Sequence, residues 1–218
     1  MKSIAVIIIL LNFFILSPVY PQKDAGKILK AVSEKLSKIE NYTADVLVKI
    51  DVETIKIKDR KAKVIFRKPD KFEFKSDGFI LLPKNSGQGD FLKLLNQQST
   101  ALYVSEEIIN KIKTSLVKII PTDPGSDVIL AELWVDVARS LVVKMKTYTK
   151  QNGSYTVNFF YAMHPFDLPD KIVVEFDLKG IKLPAKLSGD LEDLSKHVSK
   201  GNTKGKVTLY YSNYVVNK

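Results

Sequence analysis

Apolar and polar residues alternate with a period of two along most of this chain, the signature of β-strands with one buried and one wet face. Ala44, Val46, Val48, Ile50 and Val52 share a face, and Ile55 and Ile57 begin a further strand. Lys61–Ser76 reads as a hairpin: Ala62, Val64 and Phe66 alternate with Lys63, Ile65 and Arg67, and Phe72 and Phe74 alternate with Glu73 and Lys75. Between its arms, Lys68-Pro69-Asp70-Lys71 suits a type I turn. Leu141, Val143, Met145 and Thr147 alternate up to Gln151-Asn152-Gly153-Ser154, and Tyr155, Val157, Phe159 and Tyr161 return from it; Asn-Gly between alternating runs is a strong hairpin signal. Ile172, Val174, Phe176 and Leu178 form another in/out strand, and Val207–Val216 a long tyrosine-rich last one.

The period changes in only a few places. Ile28, Leu29, Val32, Leu36 and Ile39 recur at helical spacing, which predicts an amphipathic helix over Lys23–Glu40 with Asp24 as N-cap and Asn41 as its stop. Short helices are expected at Phe91–Leu95, at Glu106–Lys113 after Ser105, and within Leu187–Val198. Phe79–Pro83 reads as a short strand stopped by proline. The expected class is mainly antiparallel β (α+β), with eight to eleven strands joined by hairpins. A sheet this large with one apolar face must curl onto something. One long helix and a few short ones barely fill it, which leaves room for an apolar cavity in an incompletely closed barrel.

Composition adds an address. Lys2 precedes an apolar run from Ile4 to Leu16, right for a signal peptide and short for a membrane span. Residues 1–22 are therefore expected to be a signal peptide and 23–218 a single domain, soluble after processing. An uncleaved anchor is the other reading of the same run. The chain has 218 residues, 45% hydrophobic, and no cysteine, so neither disulfides nor a lipidated cysteine contribute. The net charge of +10 is spread along strands, as on the wet face of a sheet. Its functional alternative is attraction to anionic membrane surfaces. No nucleic-acid recognition motif is present.

Catalytic patterns are missing. The two histidines, His164 and His197, have no neighbouring ligand at metal spacing, no GxSxG elbow occurs, and Gly87-Gln88-Gly89-Asp90 lacks a phosphate-binding context. No metal and no cofactor is expected, and an enzyme is the outsider among the functional readings.

The order of these pieces (export signal, amphipathic helix, a strand ending in Phe66-Arg67-Lys68-Pro69-Asp70-Lys71-Phe72, then antiparallel hairpins) resembles the outer-membrane lipoprotein carrier family, the LolA-like lipoprotein-sorting proteins. The resemblance covers most of residues 25–216. It implies an unclosed β-barrel with a helical lid whose apolar cavity holds the acyl chains of lipoproteins or lipids and carries them across the periplasm to the outer membrane. It also implies an inner-membrane lipoprotein-releasing transporter and an outer-membrane acceptor as partners, with a monomeric carrier between them. The inward strand faces then become candidate cavity walls: Val46, Val48, Ile50, Val64, Phe66, Phe72, Phe74, Val143, Met145, Val157, Phe159, Tyr161, Ile172, Val174 and Phe176. The family carries an arginine directly before the proline, where it bonds the lid. Here that position is Lys68, the candidate lid latch, and the arginine stands one residue earlier. Lysine lacks the planar multi-donor fork of arginine. The alternatives are an envelope sensor, or a binding protein for another hydrophobic ligand, on the same fold.

Overall fold

A computed structural model describes residues 23–52, 55–76, 80, 82, 88–151, 153–162, 165–177 and 204–217. The expected signal peptide, the Leu187–Val198 helix and most of Phe79–Pro83 lie outside these residues, as do both histidines. Helix α1 spans Ala25–Leu36 and α2 spans Gln88–Asn96. The strands are β1 (Asn41–Val52), β2 (Ile55–Lys56), β3 (Arg60–Arg67), β4 (Lys71–Ser76), β5 (Ser99–Ile109), β6 (Ile112–Pro121), β7 (Val128–Asp136), β8 (Leu141–Thr149), β9 (Ser154–Phe160), β10 (Lys171–Asp177) and β11 (Lys204–Val216).

These strands make one antiparallel sheet in the order β4-β3-β1-β11-β10-β9-β8-β7-β6-β5, with β2 added beside β1. Its ends, β4 and β5, do not pair with each other, so the barrel stays open. Antiparallel neighbours joined by tight turns explain most of the order; the pairing of β1 with both β3 and β11 brings the first and last strands together. Bulges between Thr43 and Asp45, Tyr103 and Ser105, and Trp134 and Val135 bend the strands, as closing a large sheet requires.

The inner face holds the main core, which runs from Ile28 and Val32 of α1 through Val48, Val64, Leu133 and Val157 to Val207. Asp24 caps α1, accepting from the backbone N–H groups of Gly26 (2.9 Å) and Lys27 (3.2 Å).

Three local expectations are corrected. The helix ends at Ser37, not Asn41, because Asn41 is already the first residue of β1, opposite Arg67. Glu106–Lys113 is not a helix but the β5–β6 hairpin, turned by Asn110 (φ 50°) and Lys111 (φ 66°). Two successive left-handed residues form the turn type that matches strand twist, and strand pairing overrides the helix propensity of this segment. The Lys68–Pro69 peptide is cis, whereas a type I turn keeps it trans.

Candidate functional site

The β3–β4 hairpin builds one wall of the site. Its register places Phe66 opposite Phe72 and Val64 opposite Phe74, so the aromatic residues fall on one face as the period of two requires. Tyr42 of β1 sits opposite Phe66. The Phe66 and Phe72 rings pack tilted with centroids 4.8 Å apart, and the Tyr42 ring lies 5.4 Å from Phe66 and 5.5 Å from Tyr214. Across the open side, α2 lays Phe91 6.0 Å from Phe159 of β9.

The rings enclose two adjoining apolar spaces. One, about 190 Å³, is bounded by Val64, Phe74, Met145, Val157 and Ile172 among others. The second, about 60 Å³, lies under the C-terminal end of α1, against Leu36, Ile39, Tyr42 and Phe66. Phe72, Phe91 and Phe159 line both. Ligand clefts usually span about 300–1,000 Å³, and neither apolar space reaches that size.

Nine of the candidate wall residues border this lumen: Val64, Phe66, Phe72, Phe74, Met145, Val157, Phe159, Tyr161 and Ile172. Val46, Val48, Ile50, Val174 and Phe176 are buried in the main core without bordering either space. Val143 is a correction. It packs with Leu116 and Trp134 in a separate cluster, while its neighbours Val142 and Met145 join the main core. The bulge at Trp134/Val135 shifts the β7–β8 register there and breaks the simple alternation.

Tyr42, Phe91, Leu209 and Tyr211 belong to the lining as well. Tyr42 shares its parity with Ala44 and Val46, and Leu209 and Tyr211 alternate on from Val207, so a signal for them existed. The Tyr161 hydroxyl donates to the Val142 carbonyl at 2.9 Å and that of Tyr214 to the Pro169 carbonyl at 2.6 Å. Burial raises the pKa of Tyr42, Tyr161, Tyr211 and Tyr214, so these phenols stay neutral.

Polar contacts hold the C-terminal end of α1 over the lumen. Lys68 Nζ donates to the Ser37 carbonyl at 3.1 Å and to Glu40 Oε1 at 2.7 Å, and its backbone N–H donates to the Glu40 carbonyl at 2.8 Å. On the other side, Asp167 accepts from Lys35 Nζ and from Arg139 Nη2, both at 2.5 Å, and Lys35 also donates to the Arg139 carbonyl at 2.8 Å. The hydrogen bonds from Lys35 and then Arg139 hold the Asp167 carboxyl below its ordinary pKa. No sequence motif signals this trio, whose members lie far apart in the chain.

No family model and no curated protein sequence matches the chain. Solved structures do. A LolA superfamily protein from Nitrosomonas europaea superposes with a TM-score of 0.55 at 12% identity, covering 90% of this chain and 94% of the other. The chain has the LolA-like fold. A DUF1329 family protein from Desulfovibrio piger aligns with a TM-score of 0.59 at 11% identity, over 89% and 94% of the two chains. A candidate outer membrane lipoprotein-sorting protein domain from Vibrio parahaemolyticus gives 0.51 at 12% identity, over 89% and 94%. In the LolA-like frame, α1 and α2 lie at the open side of the sheet, and the hairpin turn before Phe72 meets the end of α1. Among the described residues no group of three or more His, Asp or Glu is placed to hold a metal, and no helix is long and apolar enough to cross a membrane.

Proposed function

We propose that this protein is a carrier for the acyl chains of lipoproteins or lipids in the periplasm. The supporting observation is the aromatic-walled lumen between Phe66, Phe72, Phe91 and Phe159, which sits where packed side chains would otherwise close the core. Moving acyl chains through water costs about 0.8 kcal/mol per CH₂, so a carrier needs a dry lumen that opens and refills. Aromatic rings with neutral tyrosine hydroxyls suit this: they cover acyl chains without interlocking tightly with them.

The helices are the moving part. With the lumen too small for cargo in the closed state, loading requires α1 or α2 to lift. Lys68 acts as the latch between the hairpin turn and the end of α1, through its bonds to Ser37 and Glu40. The expected signal peptide would deliver the protein to the periplasm. The LolA-like fold and the candidate lipoprotein-sorting domain among its structural neighbours favour cargo moving toward the outer membrane, from a releasing transporter to an acceptor.

The test is purification of the mature protein from the envelope under native conditions, followed by mass spectrometry of what accompanies it. Acylated protein or lipid at near-stoichiometric amount is the expected result. A protein that carries nothing, and binds no fluorescent acyl probe in vitro, would overturn the reading.

A further inference from the structure

The inner face of β8 and β9 changes character along its length. Toward one end Met145, Val157 and Phe159 line the apolar lumen. Toward the other, the same face carries Thr147 and Tyr155, which pair across the two strands and are only 1% and 3% exposed. Hydroxyls buried in an apolar wall are costly unless polar groups meet them.

Both residues line a recess of about 270 Å³ between α2 and the chain before β7, together with Asp90 and Asp127. Phe91 and Met145 border both this recess and the apolar lumen. The two compartments therefore meet at those side chains, and together they reach the size of a small-molecule cleft, about 300–1,000 Å³. Among its described walls Lys93 is the one cation. Burial pushes the Tyr155 hydroxyl up to about 12, against the lowering effect of its hydrogen bond with Thr147 and with smaller raising effects from Asp90 and Asp127, so the phenol stays protonated.

We propose that this recess is a head-group subsite of the cargo cavity and takes an uncharged, hydroxyl-rich head, glycerol or sugar, while the acyl chain passes Phe91 into the apolar lumen. The proposal rests on the carrier reading above. Carboxylates accept hydrogen bonds from ligand hydroxyls, and the Thr147 and Tyr155 hydroxyls both donate and accept. The same two carboxylates repel an anionic head. The Phe91 ring stands at the boundary between polar head and apolar chain.

Titration calorimetry with monolauroylglycerol, lauryl maltoside, laurylamine and laurate, which share one chain length, separates the possibilities. The glycerol and sugar compounds are expected to bind at least about tenfold more tightly than laurate. An Asp90→Asn/Asp127→Asn protein is expected to close that gap to about threefold or less while leaving monolauroylglycerol affinity within a factor of about three. Asp90→Asn alone, on the first turn of α2, is the fallback if the double variant does not fold, and narrows the gap part-way. Laurate binding as tightly as monolauroylglycerol, a gap that survives the variants, or laurylamine binding tightest would overturn the head-group assignment and leave the carrier reading standing. Binding of none of the four would remove both.

Discussion

Replacing Asp167 with asparagine should loosen α1 without unfolding the sheet. The residue has φ 50°, a left-handed conformation that asparagine tolerates as well as aspartate, so the backbone is preserved. What is lost is the carboxylate charge between Lys35 and Arg139, each at 2.5 Å, with side-chain exposures of 27%, 26% and 40% for lysine, aspartate and arginine. Hydrogen bonds to charged groups are worth about 1.5–3 kcal/mol each when dry. Partial exposure and the salt-screened cost of ordering long side chains reduce the pair to about 1–3 kcal/mol in total. If that energy holds the lid rather than the fold, hydrogen exchange of the α1 amides should accelerate about 5- to 150-fold. The amides of β6 to β9 should keep wild-type protection. Unchanged α1 protection would show that the trio does not hold the helix. Equal loss of protection in helix and sheet would show that it supports the whole fold. Acid provides the same perturbation in the wild type. Because the folded-state pKa of Asp167 is depressed, its contribution is fully present above the ordinary carboxylate value of about 3.9 and is lost as pH falls through the lower folded value. Release of α1 by this group is therefore expected below about pH 4 and not at neutral pH, and Asp167→Asn should abolish the pH dependence of α1 exchange in that range.

Lys68→Ala removes contacts whose side chains are 41% and 61% exposed, so it should cost the closed state only about 0.2–1 kcal/mol, seen as a less than about sixfold rise in α1 exchange; delivery of cargo at the wild-type rate by this variant would sink the latch role. Phe159→Ala should cost less than the about 3–5 kcal/mol of a packed core phenylalanine, because the ring already borders open space; a loss of 5 kcal/mol or so in urea denaturation would mark it as ordinary core. Gly205→Val should destabilise by about 1–3 kcal/mol, since even a Cβ there meets Phe176 Cε2 at 2.6 Å, and a thermal midpoint equal to wild type would refute that packing. Trp134 sits in the cluster with Leu116 and Val143, its Nε1 donating to Glu107 Oε2 at 2.7 Å. Its fluorescence should therefore be insensitive to a brominated acyl chain in the lumen; strong quenching would place the chain elsewhere.

Parity made much of the lumen legible. Once Val64, Phe66, Phe72 and Phe74 are read as one side of a hairpin, and Val157 and Phe159 as one side of another, their meeting on a common face follows from the pleat, which is local in the chain. The reading failed where a local rule was overruled by a partner. Val143 obeys the period of two within its own strand, but it is itself the extra residue of a bulge, between Val142 opposite Val135 and Lys144 opposite Trp134, and it packs outside the main core. Glu106–Lys113 has the composition of a helix, yet Glu106–Ile109 pair with Ile112–Ser115 across the Asn110-Lys111 turn. Nothing near Asp167 in the sequence announces Lys35 or Arg139, because the three meet only after α1 has crossed the open side and the β7–β8 turn has come beneath it. This separation bears on mechanism. The apolar wall is encoded strand by strand and tolerates exchange among hydrophobic residues of similar volume. The grip on α1 depends instead on single polar atoms from three distant segments, Lys68, Asp167 and Arg139. On the carrier reading proposed above, loading would displace rings along the wall, whereas freeing the end of α1 would require only that a few partly exposed charges change partners, at small energetic cost.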